Sequence, residues 1–487
     1  MNRMIVERLP RTEGILRVVQ SDVEQEKTVF LGSGRSLQVE ENLVGRYPLE
    51  AVQSTQMLSA VTGVSHALSA ISALESYLQL DPTAASLQIR QMLLQLSTLC
   101  SHVTHFYWEV LPDYLNEDHF ETTSSLKAFL RFDFRPEGRK KGDLSKEAGT
   151  QILSHIGQAA RSLDELQQTI ALIAGKYPVI MNLIPGGVTN FTFERGLLMK
   201  LLGKLEQVKG FIEVIWPEDV KLFIRDLPET VVVAVKKADL ISFGSLSSGK
   251  KESIDAFYSE GVLIDGKLEP INEMLITESL QHTFYLPVGK TAGNDGRSFD
   301  FNKEGARTWI KGARYDGEPK QTGALSRMLI THIGGSHMEI SDRVGRMIED
   351  LGLSVESPNC IASRLLAEVF EGRLYIKSTL NLLLDYDVSL SLNKKTAFDF
   401  SKPGSGSGRI ESPGGALLHQ VFIKDNRITQ YRVVSSVNWN FSSADRNGKT
   451  GIVENELNAT LEKEELSVTQ VSRIIHSYNA QILDGTK

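Results

Sequence analysis

Thr55 to Glu75 reads TQMLSAVTGVSHALSAISALE, and its apolar residues recur with the spacing of a helix. Leu58, Val61, Leu68, Ile71 and Leu74, followed by Leu78, fall at steps of three, four and seven, which stacks them on one helical face. One segment later Leu96, Leu99, Val103 and Phe106 repeat the pattern. A third run, Ile152, Ile156, Ala159, Leu163, Leu166, Ile170 and Ile173, keeps it for about six turns before Pro178 closes it. Further helices are expected over Phe193 to Ile212, Arg327 to Leu351 and Ile361 to Leu384.

The chain ends read differently. GILRVVQ (14–20) and KTVFLGS (27–33) flank a polar connection, and ALLHQVFIK (416–424) and RITQYRVVSS (427–436) are joined by Asp425 and Asn426. Both pairs read as β-hairpins. The expected fold class is therefore α+β, a large helical-bundle core with hairpins from the two terminal regions. The division expected is 1–50 as an N-terminal β region, 51–400 as the helical core, and 401–487 as a C-terminal hairpin region with a tail helix. Thr291 to Arg307 (TAGNDGRSFDFNKEGAR) and Ser401 to Gly408 (SKPGSGSG) read as surface loops, the second with linker chemistry. No internal repeat is visible.

With 487 residues, 41% of them hydrophobic, the chain can bury a large core. A net charge of -7 supplies no global field for nucleic acid, and the run Arg139, Lys140 and Lys141 reads as a solvated loop. Cys100 and Cys360 are the two cysteines, in no paired motif. Cys100 lies in the apolar run LLQLSTLCSHVTHFYW and reads as a buried, inert thiol. No stretch reaches 18 apolar residues and the opening MNRMIVERLPRTEG has no apolar core, so no membrane span is expected and the cytoplasmic side is. No G-x-G-x-x-G, Walker-type loop, G-x-S-x-G or H-E-x-x-H occurs. His102 and His105, spaced i, i+3, could form a ligand pair, but the sequence names no third ligand.

An ordered set of segments resembles the large subunit of nickel-iron hydrogenases. Arg11, Thr12, Glu13 and Gly14 resemble that family's R-x-E-G, and Ser33, Gly34 and Glu41 its S-G-T-x-x-R-G-x-E. His105, Phe106 and Tyr107 match H-F-Y; Gly186 to Thr189 resembles G-G-V-T; Trp309 to Gly317 (WIKGARYDG) resembles W-x-K-A-P-R-Y-D-G. Glu411 to Leu417 (ESPGGAL) resembles E-A-P-R-G-A-L, and Trp439, Asn440 and Asp445 resemble W-N followed by R-D. Thr55 to Glu75 and the final HSYNAQILDGTK resemble the two segments that supply four cysteine thiolates to the nickel-iron centre.

Against those two segments the thiolate positions fall on Ser59, Thr62, Gln481 and Asp484. Their hydroxyl, amide and carboxylate oxygens do not replace bridging thiolates on nickel. Neighbouring positions depart too: Met57 stands for an arginine, Ser101 for an aspartate, Gly414 for the arginine of E-A-P-R-G-A-L and Lys487 for the terminal histidine. Glu13, Glu41, His66 and Arg314 are retained. Glu13 also reads as a turn cap, His66 as a hydrogen-bonded core histidine, and Arg314 with Asp316 as a structural pair or loop anchor. Because the resemblance implies a magnesium ion between Glu41 and the terminal histidine, Lys487 is expected to dock toward Glu41 in its place. The chain stops at the position matching that histidine, so no nickel-dependent trimming is expected.

The resemblance with these departures implies a non-catalytic subunit of a redox assembly, paired with an iron-sulfur small subunit and within reach of further redox subunits. No cofactor is expected in this chain, the iron-sulfur clusters lying in the partner. Through that partner, co-export or membrane association is compatible with a chain that has no span. Two alternatives stand beside this reading, a maturation scaffold for the nickel-iron cofactor and an active hydrogenase with an unusual ligand set.

Overall fold

A computed structural model describes residues 2–479, apart from 7–8, 10, 12–15, 24–25, 34–37, 122–123, 131–142, 190–193, 234–238, 245–256, 287–298, 355–356, 395–396 and 464. The run beginning at Thr55 forms a short 3-10 turn, Thr55–Leu58, and then helix α1, Gly63–Leu78. The expected helix starts five residues late because Ser59 is extended, with φ -150 and ψ 134. α2, Ala84–Thr104, follows, capped by Thr83, whose side chain accepts from Ser86 N. A π-helical turn, His105–Val110, then closes it.

The third periodic run is broken at His155 into Lys146–Ser154 and α3, Ile156–Ala174, and Gly175 at φ 80 ends it before Pro178 does. α4, Arg195–Gly210, occupies the next expected position. The run from Arg327 to Leu351 is two helices, Ala324–Gly334 and Met338–Asp350, because Gly335 takes φ 63 between them. α5, Ile361–Leu384, spans the whole of its expected range and opens with Cys360 and Ser363 in a capping box. Among the described residues the final helices are α6, Ile452–Leu461, and α7, Val468–His476.

At the N-terminus β1 (Asn2–Val6), β2 (Leu16–Val23) and β3 (Glu26–Ser33) form an antiparallel sheet, one strand more than expected. Near the C-terminus β4 (Gly404–Ser412), β5 (Gly415–Lys424) and β6 (Arg427–Val434) form another. Asp425 and Asn426 turn β5 into β6 with φ 52 and 58, the left-handed pair that suits strand twist. The expected linker SKPGSGSG is instead the start of β4, packed against α1. A Cβ on Gly406 would lie 2.0 Å from the Ala73 carbonyl oxygen, and one on Gly408 2.1 Å from that of Ser69. Alternate glycines thus let a strand backbone rest directly on a helix backbone. Of the other expected loop, 291–298 lie outside the described residues.

The main hydrophobic core joins α1 to α5 with β4 to β6. A second core joins β1 to β3 with α6 and α7, through Val18, Leu31, Val453, Leu457, Val471 and Ile475. A third, around Trp439, joins Ile241, Val262 and Ile276 to Leu418 and Val434. Among the described residues no helix is long and apolar enough to cross a membrane.

Candidate functional site

α2 and α5 lie side by side in the interior, and each carries polar residues three apart on the facing turn. His102 and His105 come from α2 and the π-turn that follows; Glu368 and Glu371 come from α5. Spacing of i, i+3 puts each pair on one face, and the faces meet. His102 Nε2 lies 2.6 Å from Glu371 Oε2, and His105 Nδ1 lies 2.7 Å from Glu368 Oε2. Arg327 Nε donates to Glu371 Oε1 at 2.6 Å, and its Nη1 donates to Glu411 Oε2 at 3.1 Å. Glu411 also accepts from Phe243 N at 2.6 Å. On the other side, His105 Nε2 donates to the His476 carbonyl, His476 Nδ1 pairs with Asp113, and Asp113 accepts from Arg11 Nη2. The result is a buried polar chain from Glu411 to Arg11.

Burial makes these charges costly unless they are paired. Burial would raise Glu371, but Arg327 and His102 hold it well below the usual carboxylate range. Glu411 is raised to about 7, because burial outweighs Arg327. For His105, burial acts to lower the pKa, yet Glu368 outweighs it and the value rises to about 9. The ligand-pair reading of His102 and His105 is not realised, since both rings face carboxylates. No group of three or more His, Cys, Asp or Glu residues is poised for a metal ion among the described residues.

The turn after β4 meets the end of α7. Pro413 and Gly414 line a cavity of about 20 Å³ with Thr322, Arg364, Glu368 and Asn479, room for about one water. A Cβ on Gly414 would lie 2.6 Å from Ser436 Oγ, so the turn is built for glycine. A second cavity, about 70 Å³, is lined by Glu40, Glu41, Leu58, Trp309, Lys311 and Asn438 among others. Lys311 Nζ is 2.6 Å from Glu40 and 3.3 Å from Glu278. Burial raises Glu40 to about 7 against the pull of Lys311, while Glu278 is held low by Lys311 and Arg432.

The residues singled out in the sequence divide as follows. Ser59 Oγ accepts from Thr62 N at 2.9 Å and Val61 N at 3.2 Å, and Thr62 is the N-cap of α1. Both serve the helix start. Met57 is 65% exposed, whereas Ser101 is buried. His66 Nδ1 lies 3.0 Å from His419 Nε2, and His419 Nδ1 lies 2.8 Å from the Tyr431 hydroxyl. Burial lowers His66 to about 3, so it is a neutral core histidine. Arg314 anchors a loop, donating to Ser442 Oγ, Ser443 O and Lys449 O at 2.8, 2.9 and 3.0 Å. Its acidic neighbour is Asp445, at 3.8 Å, and not Asp316. Asp316 and Gly317 form a left-handed turn instead. Gly186, in the G-G-V-T segment, donates its N–H to Glu75, which is ion-paired with Arg90 at 2.7 Å. Glu13, Gln481, Asp484 and Lys487 lie outside the described residues, and with them the docking of Lys487 on Glu41.

Sequence reasoning passed over Arg327, Glu368, Glu371, Asp113 and His476. The signal available was the pair of polar i, i+3 spacings inside two apolar helices, which neither helix alone can satisfy.

Comparison with known proteins places this geometry. Residues 38–130 and 132–482 match the nickel-dependent hydrogenase family. The chain is similar to the quinone-reactive Ni/Fe-hydrogenase large chain of Wolinella succinogenes, 26% identical, the match covering 98% of this chain and 94% of that one. It is 24% identical to the periplasmic [NiFeSe] hydrogenase large subunit of Desulfomicrobium baculatum, over 98% and 93%. The solved Ni-Fe-Se hydrogenase of D. vulgaris Hildenborough in its as-isolated oxidized state shares the fold, with a TM-score of 0.82, 21% identity, and coverage of 100% and 99%.

These matches overturn the expectation that this chain has no cofactor. The matched family is nickel-dependent and the solved structures of the same fold are nickel-iron-selenium hydrogenases, so a metal site is what the family brings. The donor set here is a separate matter, and it does not fit a centre held by four thiolates. Two cysteines are present in all. Burial raises the Cys100 thiol to about 12, and Cys360 Sγ accepts from Ser363 N as the cap of α5.

Proposed function

The chain belongs to the nickel-dependent hydrogenase family, and from that premise we propose that it serves as a large-subunit-like, non-catalytic member of a redox assembly. Its partner in this reading is an iron-sulfur small subunit, and its contribution is the body against which that subunit docks. One observation carries the proposal: Ser59 Oγ is taken up by the backbone N–H groups of Val61 and Thr62 at the start of α1, Cys100 is buried in α2 with a raised pKa, and Cys360 caps α5. A thiolate must be deprotonated and accessible to serve chemistry. Support for the partner comes from the relatives, which are named large chain or large subunit.

The experiment is isolation of the native protein under anaerobic conditions with whatever accompanies it. A co-purifying protein with the electron paramagnetic resonance signals of reduced iron-sulfur clusters is expected, and the assembly should not reduce a viologen dye under hydrogen. Hydrogen-dependent dye reduction that follows this chain through purification defeats the non-catalytic reading. Isolation without any iron-sulfur protein defeats the partner.

A further inference from the structure

The C-terminal end of α7 meets the imidazole of His105. His105 Nε2 donates to the backbone carbonyl of His476, the final residue of α7, and its Nδ1 lies 2.7 Å from Glu368 Oε2. A carbonyl oxygen only accepts, so Nε2 carries a proton; the carboxylate calls for one on Nδ1 as well. The second oxygen of Glu368 accepts from Asn479 Nδ2 at 3.1 Å and lies 3.5 Å from His102 Nδ1. Donors thus converge on Glu368 and favour its ionised form. His105, Glu368, His476 and Asn479 are all buried. A positive ring at the negative end of a helix adds to the attraction.

Deprotonation of His105 cannot keep both contacts. With the remaining hydrogen on Nε2, the Nδ1 lone pair faces a carboxylate; with it on Nδ1, the Nε2 lone pair faces a carbonyl oxygen. Either tautomer sets two acceptors against each other in the interior.

We propose that His105 and Glu368 form a charge-dependent latch that fixes the end of α7, closed while the imidazole is protonated and released when it is neutral. This stands apart from the reading of function above. The charged and titratable groups around the ring are Glu368 and Arg364 from α5, His102 and Glu109 from its own run, Asp113, Arg11, and His476 and Arg473 from α7. Most are neutralised by one another: Arg11 pairs with Asp113, Arg473 with Asp143 and Arg364 with Glu456. Glu368, hydrogen-bonded to Nδ1, acts on His105 most strongly, and Glu109 adds to it. Against burial they, with the His476 carbonyl, raise it to about 9. Since the unfolded value is near 6.5, the contribution is complete below about 6.5 and is lost as pH rises through about 9.

The test is hydrogen exchange of the full chain by mass spectrometry, with protection factors corrected for intrinsic rates, from about pH 6.5 to 10.5. Peptides covering Val468–His476 should lose protection at least ~10-fold with a midpoint near 9, while Met338–Asp350 keeps its own. In Glu368→Gln the amide can donate to a neutral Nδ1 while its oxygen still accepts from Asn479, so the step near pH 9 should vanish, and in His105→Gln α7 should be weakly protected at every pH. Flat protection of α7 in the wild type overturns the latch. So does an equal loss in Met338–Asp350, which would mean global unfolding, or a Glu368→Gln midpoint left at the wild-type pH. The wild-type and Glu368→Gln profiles decide the matter even if His105→Gln does not fold.

Discussion

Arg327 joins two buried carboxylates. It neutralises Glu371 and Glu411 at once, and its side chain is about 1% exposed. Arg327→Met fills similar space but takes the guanidinium from two buried carboxylates, while Glu371 keeps its contact with His102, and it should cost about 3–5 kcal/mol, the range for breaking a buried pair. Arg327→Lys should recover part of this, since an ammonium cannot match the two-pronged contact with Glu371. A midpoint of chemical denaturation unchanged in Arg327→Met would contradict this account. His66 gives a prediction with pH. Its folded pKa is depressed to about 3 by burial, so the unfolded chain binds a proton below about 6.5 that the native one refuses. Stability should therefore be full above pH 6.5 and fall as pH drops toward 3, by a few kcal/mol at most from this site. Less acid loss is expected in His66→Gln; identical slopes for the two proteins between pH 6.5 and 4 would rule it out. At this scale the sequence was readable where burial alone decides, as with His66 in an apolar helix, although its partner His419 lies 353 positions away. It was silent on His102 with Glu371, because the two are 269 positions apart and only the tertiary packing of α2 on α5 joins them.

Elements followed their local rules where those rules were sufficient. The Asp425–Asn426 turn and the full length of α5 were legible because turn chemistry and apolar period act within a few residues. β4 was not, since Gly-Ser alternation reads as linker until a helix backbone is laid against it. Its glycines yield a sharp test. Gly406→Ala and Gly408→Ala each place a methyl about 2 Å from main-chain oxygen of α1, where no side chain can yield; each should cost about 3 kcal/mol or more, at or above the usual range for overpacking. Gly203, in the middle of α4, has nothing within 4 Å of a built Cβ, so Gly203→Ala should stabilise by about 1 kcal/mol through helix propensity. Thermal melts of the three variants check both signs together. Melting temperatures of Gly406→Ala or Gly408→Ala at or above the wild type would show that β4 does not rest on α1 in this way.

The two ends of the chain meet in the whole molecule. β1 to β3 have one apolar face and α6 and α7 another, and each covers the other in the second core. The seam is also polar: Asn458 donates to Val29 O at 3.2 Å and accepts from Val29 N at 2.6 Å, extending the edge of β3 by a side chain. Glu454 accepts from Leu31 N at 2.8 Å and Ala444 N at 3.0 Å. Periodicity gave each end its secondary structure, but nothing in it joined Leu31 to Val453, since a hydrophobic face announces that it needs a cover without naming one. It follows that the ends should fail together. Deleting residues 1–33 should expose the apolar faces of Ile452–Leu461 and Val468–His476 and remove their amide protection, while Gly63–Leu78, in the main core, keeps its own. Asn458→Ala, which strips both backbone groups of Val29 of their partner, should show a milder form of the same loss, about 1–3 kcal/mol. If exchange in α6 and α7 is unchanged by the deletion, the N-terminal sheet is not what holds them, and the second core must be closed by α6 and α7 alone.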